Sequence, residues 1–321
     1  MNTHLPTFAL IVPTYNAASC WRALHDGIVA QNTRPDRVLI LDSSSPDGTG
    51  EMARKAGFEL ITVRKEDFDH GLTRQIGAES ASDTDVLLYM TQDAVPAHSE
   101  AFSRLLAAFR DPELGAAFGR QLPRSEARPI EAHARLFNYP TESRIRSLES
   151  RRQLGFKTIF LSNSFAAYRR GALMSVGGFP GGALFGEDTM VAARLHDAGW
   201  KTAYVAEAQV CHSHDYTLAE EFRRYFDIGA FHAREKWLIE RYGTATGEGR
   251  RFVTSEMRYL LRHDRFAIPY AMARTIAKYF AYQAGKREHR FSTNLKLRLG
   301  FNREFWRRAA APRAASNPDM N

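Results

Sequence analysis

Unbroken apolar runs of strand length alternate with amphipathic segments along the first part of the chain. The clearest run covers 86–90 and leads, through Thr91 and Gln92, to the carboxylate of Asp93. Strands buried on both faces of a parallel sheet read as continuous apolar runs, and open α/β sheets bind ligands beyond the carboxyl ends of their strands. The pattern therefore predicts that Asp93 faces a ligand crevice. Because 94–97 could open a helix, the spacing is equally compatible with Asp93 as a helix N-cap.

Two earlier apolar runs end in the same way. The run 8–12 leads into Pro13 and the polar residues after it, and the run 37–41 leads into Asp42. Segments at helical spacing are predicted at 20–31, 52–56 and 73–80, with a further strand at 60–63. Strands and helices that alternate on this scale predict an α/β fold in which helices cover a largely parallel sheet.

The second half of the chain continues this alternation and then changes character. The pattern predicts a strand at 158–168, a flexible glycine-rich link at 177–182, a helix at 189–198 and a last strand from 202. From Leu218 onward, strand signals give way to helical, basic and aromatic segments. We therefore expect an α/β domain over 1–215, a helical C-terminal region over 216–308 and a disordered tail over 309–321.

Charge and cysteine content narrow the expected partners and the expected cellular location of the protein. The 321 residues include 44 Lys and Arg against 36 Asp and Glu, and the net charge of +8 favours an anionic partner such as a nucleotide, a phospholipid surface or nucleic acid. No recognised nucleic-acid motif accompanies the charge, so nucleic acid is not the expected partner. Two cysteines are too few for a disulfide framework, and the sequence shows no signal-peptide pattern and no apolar stretch of membrane-spanning length. A cytoplasmic location is the expectation.

Three groups of residues could carry chemistry. No glycine-rich phosphate loop follows the first strand, so the phosphates of a nucleotide would be held by cations and by a divalent ion on Asp93. Glu187 and Asp188 open a predicted helix. There the helix dipole could stabilise their negative charges, or one of them could act as a general base. His212 and His214 alternate along an extended segment and point the same way, which suits metal or phosphate contacts.

Taken in order, the motifs of the chain resemble those of the GT-A glycosyltransferases of family 2, and more closely those of the bacterial rhamnosyltransferase branch. Each motif is weak by itself, and the series is specific. The motifs are VPTYN (12–16), DSSSPDGT (42–49), FDHGLTRQ (68–75), TQDA (91–94), FNYP (137–140), SNS (162–164), GED (186–188), HSH (212–214) and FRRYFDIGAFH (222–232). As in the rhamnosyl branch, a single carboxylate occupies the place of the family's DxD motif.

The resemblance implies a fold and a set of site residues. The fold would be GT-A, a Rossmann-like and mostly parallel sheet with helices on both faces, which makes 1–215 the nucleotide-sugar-binding and catalytic domain. Asp188, beside Glu187, would be the catalytic base, and Asp93 with His212 and His214 would hold Mg²⁺ or Mn²⁺. The residues expected to bind the nucleotide sugar are Pro13, Thr14, Tyr15, Asn16, Asp42 for the pyrimidine, Ser44, His70, Arg74 for the diphosphate, Gln92 and Asp93.

The implied function is inverting transfer of L-rhamnose from dTDP-L-rhamnose to a sugar hydroxyl of a cell-surface glycan such as O-antigen, with a lipid-linked acceptor. Family 2 enzymes that use a UDP-hexose or GDP-mannose are one alternative, and a basic module that binds an anionic surface or nucleic acid is another. The segment 266–290 combines apolar positions near helical spacing with basic residues. It predicts either peripheral contact with the inner face of the cell membrane or a helix packed on the catalytic domain.

Overall fold

The computed structural model describes residues 5–244 and 247–310. Its strands are β1 (Phe8–Thr14), β2 (Arg37–Asp42), β3 (Glu59–Thr62), β4 (Val86–Met90), β5 (Val95–Pro96), β6 (Leu114–Leu122), β7 (Arg144–Arg146), β8 (Phe165–Arg169) and β9 (Lys201–Cys211). Its α-helices are α1 (Trp21–Val29), α2 (Thr49–Lys55), α3 (His70–Ser80), α4 (Ala101–Leu106), α5 (Pro129–Asn138), α6 (Arg151–Leu154), α7 (Arg170–Ser175), α8 (Glu187–Asp197), α9 (Leu218–Arg234), α10 (Lys236–Tyr242), α11 (Glu248–His263), α12 (Ile268–Gly285), α13 (Thr293–Leu299) and α14 (Arg303–Ala310).

All nine strands belong to one sheet, in the order β3-β2-β1-β4-β8-β6-β9-β5, with β7 paired to β9. The first four strands of the chain pair in parallel, as their buried apolar runs predict. The second half is mixed, because β8 pairs antiparallel with β4 and β6 while β6 and β9 are parallel. The predicted α/β architecture is confirmed, and its parallel character lies chiefly in the first half of the chain.

The apolar runs form the core as expected. Every residue of β4 is buried, and the main cluster joins the sheet to α1 and α4 through Phe8, Leu24 and Phe102. Apolar burial of this kind contributes about 25 cal/mol for each Å² removed from water, so it is the main stabilising term of the sheet. The carboxyl ends of β1, β2 and β4, which position the polar segments described below, are thereby fixed on one framework.

One predicted strand is much shorter than its sequence suggests. The prediction of a strand over 158–168 is wrong in its first part, since a 3₁₀-helix covers Gly155–Ile159 and β8 begins only at Phe165. The polar turn between them explains the break, because Asn163 uses its side chain for tertiary hydrogen bonds and the backbone N–H of Phe165 donates to the carbonyl of Ser162. Such turns compete with strand pairing for the backbone.

Asp93 does not cap a helix. The residues after it form the short strand β5, and α4 begins only at Ala101. Of the two interpretations that the spacing left open, the helix N-cap is therefore excluded by the structure. The predicted site at the end of β4 remains.

The chain divides into two compact units, one of Met1–Asp215 with Trp237–Ala271, the other of Tyr216–Lys236 with Met272–Asn321. The return of 237–271 to the first unit was not predicted. It has a physical cause, because α11 packs on α5 through Ile130 and Leu260, and His133 hydrogen-bonds Ser255. Helical periodicity shows that a segment has an apolar face and does not show which surface covers that face.

The tail predicted to be disordered lies outside the described residues, apart from Ala309 and Ala310, which end α14. Among the helices that the structure describes, none is long and apolar enough to cross a bilayer.

Candidate active site

Asp93, His212 and His214 come together at the carboxyl ends of β4 and β9. His212 Nε2 lies 3.4 Å and His214 Nδ1 lies 3.6 Å from Asp93 Oδ2. One potential ligand atom from each of the three residues falls within 4.8 Å of the others. The ring centroids of the two imidazoles lie 4.6 Å apart, and each ring presents one nitrogen to Asp93. The three predicted metal ligands thus form one cluster, and metal binding by it stays a prediction.

The electrostatics of this cluster favour an ionised carboxylate. Burial acts to raise the pKa of Asp93, but His212 and His214 outweigh it in their protonated forms, through the hydrogen bond from His212 and the two positive charges, and hold the pKa below its usual range. Arg124 fixes the loop by donating from Nη2 to the backbone carbonyl of Asp93 over 2.7 Å. A permanently charged carboxylate beside two imidazoles is a donor set that suits a divalent cation.

Glu187 and Asp188 form the second charged group, at the start of α8. Gly186, with a φ of 69°, adopts the left-handed conformation that turns the chain into the helix. Glu187 is buried, pairs with Arg74 at 3.2 Å and accepts from the side-chain amide of Asn163 at 3.2 Å. Asp188 accepts from the backbone N–H groups of Asn163 and Thr189 at 3.2 and 2.7 Å.

The pKa values of the two carboxyl groups are shifted in opposite directions. Burial and the adjacent charge of Glu187 raise the pKa of Asp188 to about 7. Burial opposes ionisation of Glu187 too, but the positive charges of Arg74 and His70 outweigh it and lower its pKa. A carboxylate whose pKa lies near neutral pH is suited to accept a proton, whereas a carboxylate neutralised by arginine is suited to hold position.

Arg74, predicted to approach the diphosphate, lies in the first turns of α3. Its Nη1 reaches both Glu187 Oε1 and, over 2.9 Å, the carbonyl oxygen of His70. The guanidinium is therefore already engaged within the acidic pair, and contact with a diphosphate stays a prediction. His70 itself is exposed at the start of α3, close enough to Glu187 to lower its pKa.

The glycine-rich link that precedes α8 is anchored to α3. The backbone N–H of Phe179 donates to Gln75 Oε1, and that of Gly182 donates to Asp69 Oδ2. Contact is so close at Gly71 that a Cβ there would lie 1.8 Å from the carbonyl oxygen of Pro180. The link is thus tied to α3 at several points, which holds the start of α8 in place.

The remaining predicted residues cluster where β1 and β2 end. Thr14 and Asp42 are register partners, and Asp42 Oδ1 accepts from Thr14 Oγ1 at 2.9 Å. Ser45 donates to Asp42 twice, through its N–H to Oδ2 and its hydroxyl to Oδ1. Asn16 and Ser44 have positive φ, of 52° and 57°, so the backbone is strained in both loops, a feature that is often found at functional sites.

Tyr15 links this edge of the sheet to the Asp93 loop. Its N–H donates to Gln92 Oε1 and its carbonyl accepts from Gln92 Nε2, at 2.8 and 3.1 Å. Its hydroxyl receives a hydrogen bond from Lys65, an additional cation at this edge. Pro13, half-buried, is the register partner of Leu41. The structure therefore brings the predicted nucleotide-binding residues to neighbouring strand ends.

Several residues that shape the site were missed or were only part of a motif. Asn163 joins the acidic pair to the core, since its Oδ1 accepts from the hydroxyl of Tyr168 at 2.6 Å. Gln121 accepts from Arg135 and contacts Nδ1 of His212, so both residues support that histidine. A glutamine at the end of an apolar strand was the available signal for Gln121. Its partner lies far along the chain, which sequence spacing does not reveal.

Comparison with solved structures defines the fold. The chain is similar to the mannosyltransferase PcManGT from Pyrobaculum calidifontis, solved with GDP-Man and Mn²⁺, at a TM-score of 0.57, with 18% identity and coverage of 95% of this chain and 85% of that one. It is also similar to residues 1–349 of TarS from S. aureus, at a TM-score of 0.51, with 14% identity and coverage of 88% and 91%. The predicted GT-A fold is confirmed.

Sequence comparison gives the family. Residues 9–177 match the model of glycosyl transferase family 2, and the chain belongs to that family, within its bacterial rhamnosyltransferase branch. The O-antigen chain rhamnosyltransferase WbaN of Salmonella anatum is 44% identical over 283 residues, which are 88% of this chain and 90% of that protein. RfbN of Salmonella typhimurium, also an O-antigen chain rhamnosyltransferase, is 45% identical over 278 residues, or 86% and 88%.

Proposed function

We propose that this enzyme transfers L-rhamnose from dTDP-L-rhamnose, with inversion, to a sugar hydroxyl of a growing lipid-linked O-antigen-type glycan. The observation that carries the proposal is the Glu187–Asp188 pair at the start of α8, in which Arg74 and Asn163 engage Glu187, in a chain 44–45% identical to two O-antigen chain rhamnosyltransferases. The solved GT-A structures are too distant in sequence to indicate which sugar is transferred. The proposed identity of the donor therefore rests on the sequence relatives and on the site.

Asp188 is the proposed general base. Its carboxylate takes the proton of the acceptor hydroxyl as the oxygen attacks the anomeric carbon, and a pKa of about 7 suits that transfer. Glu187 is committed to Arg74 and Asn163, so we propose that it positions the base and does not react itself. With one carboxylate free to react, a single displacement and inversion at the anomeric carbon follow.

Asp93, His212 and His214 would hold the divalent cation. The residues fit such an ion, since two imidazole nitrogens lie 3.4 and 3.6 Å from one carboxylate oxygen, which is close to the separation of neighbouring ligands around a metal. Because imidazole is softer than the all-oxygen ligand set that Mg²⁺ prefers, we propose that Mn²⁺ binds more tightly. When bound, the cation supplies positive charge that stabilises the leaving diphosphate.

Asp42 is the proposed contact for the pyrimidine. Its Oδ2 accepts a hydrogen bond from the N–H of Ser45, and a carboxylate oxygen can accept a second from the N3–H of thymine or uracil. An open cleft of about 420 Å³ lies beside it, lined in part by Ser44, Arg54 and Leu60. We expect dTDP and UDP to compete with the donor at least about tenfold better than ADP, because adenine lacks an N3–H. Equal competition by all three would contradict the assignment.

A donor panel tests the proposal as a whole. The enzyme is incubated with Mn²⁺, undecaprenyl-linked O-antigen precursor and dTDP-L-rhamnose, UDP-glucose or GDP-mannose, and the product is analysed by mass spectrometry. Gain of a deoxyhexose mass from dTDP-L-rhamnose alone is the expected result, with an α- or β-linkage opposite to that of the donor. Transfer from another nucleotide sugar in preference to dTDP-L-rhamnose would replace the proposed donor.

We also propose that the enzyme docks peripherally on the cytoplasmic face of the membrane, where a lipid-linked acceptor is found. The support lies in the part of α12 within the second unit, 272–285. Its two charged residues point inward, where Arg274 and Lys278 pair with the buried Glu221 at 2.6 and 3.1 Å. The side chains on its outer face are apolar or aromatic and 53–62% exposed, namely Met272, Ile276, Tyr279 and Phe280.

This helix is inverted relative to an ordinary surface helix, which turns charge outward and apolar residues inward. An apolar stripe in this position indicates an apolar environment outside. The exposed cations Lys286, Arg287 and Arg290 follow the stripe, and anionic lipid headgroups attract each such cation by about 1 kcal/mol. A helix that inserts its apolar face at the headgroup level is the occupant that this pattern fits.

Flotation with phosphatidylcholine–phosphatidylglycerol vesicles tests the docking. We expect the protein to float at low salt and to be released at high salt, and Ile276→Ser with Phe280→Ser to abolish flotation. Leu295→Ser, at another exposed apolar position of the same unit, is the matched control and should float. Absence of binding at low salt, or full binding of the double variant, would refute docking by this face. Concentration-dependent dimers lost in the double variant would identify a second copy as the occupant.

A further inference from the structure

Gln121 lies between a permanent cation and one of the proposed metal ligands. It is the penultimate residue of β6 and is 2% exposed, and its Oε1 is 2.7 Å from Arg135 Nη1 and 2.9 Å from His212 Nδ1. Its Nε2 donates to the hydroxyl of Ser162 over 2.8 Å. The β6–β9 register, which pairs Leu122 with Cys211, brings Gln121 beside His212. The side-chain amide therefore has a partner at each end.

Donor and acceptor chemistry fixes the orientation of this amide. A guanidinium group can only donate, so the amide atom that faces Arg135 must be the oxygen. The same oxygen faces His212 and can only accept, so His212 Nδ1 must carry a hydrogen. The tautomer of an imidazole is normally inferred from its network, and here the donor-only arginine settles it.

The tautomer decides what His212 presents to the cluster. In the neutral imidazole the hydrogen is on Nδ1, and the lone pair is on Nε2, which lies 3.4 Å from Asp93 Oδ2. When His212 is neutral and Asp93 ionised, both facing atoms are acceptors, and a cation held between them would satisfy both. Outer residues that accept the second N–H of a histidine ligand commonly set its ring orientation and its metal affinity.

We propose that Gln121 and Arg135 are positioning residues that lock neutral His212 as the Nδ1–H tautomer, with Nε2 aimed at the cation site. The inference rests on the proposed function in that the same site would hold the cation. Ser162 contacts only the amide nitrogen of Gln121, so it anchors the amide without selecting the tautomer. This difference makes Ser162 a matched control.

The first test reads the tautomer directly, in protein without metal. Uniformly ¹⁵N-labelled protein is studied by long-range ¹H–¹⁵N NMR at pH 8.5, and the His212 signals are assigned by their loss in His212→Gln. We expect protonated Nδ1 in the parent and in Ser162→Ala. In Arg135→Leu the amide can rotate and offer its NH₂ group, so a shift toward Nε2–H is expected. An Nε2–H signal in the parent would overturn the inference.

The second test measures Mn²⁺ affinity by isothermal titration calorimetry. We expect Gln121→Leu and Arg135→Leu to weaken binding about 10–100-fold, the usual range for outer residues of a metal site, and Ser162→Ala to change it by less than about threefold. Parent-like affinity in both leucine variants would also overturn the inference. If the parent binds no divalent cation, the proposed metal site fails, while the NMR result still decides the tautomer.

Discussion

Asp93 and Asp188 are the same residue type, but their environments shift the pKa of the carboxyl group in opposite directions. Both lie in the first unit and are partly buried, so desolvation opposes ionisation in each. Beside Asp93 stand two histidines that favour the charge, and beside Asp188 stands the carboxylate of Glu187, which disfavours it. The neighbours, more than the residue type, thus suit one carboxyl to the cation binding and the other to the proton transfer that we propose.

Asp188→Asn should have the largest effect. Asparagine keeps the size of the side chain but cannot take the acceptor proton, so we expect kcat to fall by about 10²–10⁴-fold with donor affinity retained. Steady-state kinetics and donor titration calorimetry measure the two quantities. Asp197→Asn, at the other end of α8, controls for substitution in the same helix. Loss of donor binding with normal turnover of bound donor would make Asp188 a structural residue.

Asp93→Ala should have the second-largest effect, and it should differ from Asp188→Asn by its loss of metal affinity. The variant loses the charge that the two histidines surround, so we expect Mn²⁺ affinity and kcat/KM each to fall by about 10²-fold. Asp85→Ala is the control, because Asp85 precedes the amino end of the same strand. EDTA should abolish turnover of the parent. Full activity of Asp93→Ala, or of the parent in EDTA, would remove the metal from the proposal.

The pH dependence of the parent should follow Asp188. Its active form is the carboxylate and its pKa is about 7, so kcat/KM should rise with pH through 7 and fall about tenfold from its plateau by pH 6. Asp93, with its pKa lowered, stays ionised over that range and should contribute no limb to the profile. A profile that is flat between pH 5 and 8 would show that Asp188 is not the base.

Glu187→Gln should have the smallest effect on activity. It tests most directly whether a neighbouring charge sets the pKa of Asp188. Glutamine keeps an oxygen to accept from Asn163 and removes the negative charge that raises the pKa of Asp188. The midpoint of the kcat/KM profile should therefore move to lower pH, with the plateau changed little if Glu187 only holds position. A midpoint that stays in place would mean that burial alone raises the pKa of Asp188.

The sequence by itself determined the framework and the places where chemistry could occur. The apolar runs 8–12, 37–41 and 86–90 predicted buried parallel strands, and the polar residues that follow them lie at neighbouring strand ends in the structure. The prediction succeeds because a strand buried on both faces consists of consecutive apolar residues, and because neighbouring parallel strands end at a common edge of the sheet. The motif series predicted the family for the same local reason.

Only the tertiary structure decided which side chains meet. The pairing of Arg74 with Glu187, the sharing of Gln121 between Arg135 and His212, and the return of α11 to the first unit all join segments distant in sequence. Each depends on strand order and register, which periodicity does not encode, since a run of apolar residues specifies burial without naming its partner. The opposite pKa shifts of Asp93 and Asp188 depend on burial and, for Asp93, on the contact with His212, so the proposed division of their roles appears only in the folded molecule.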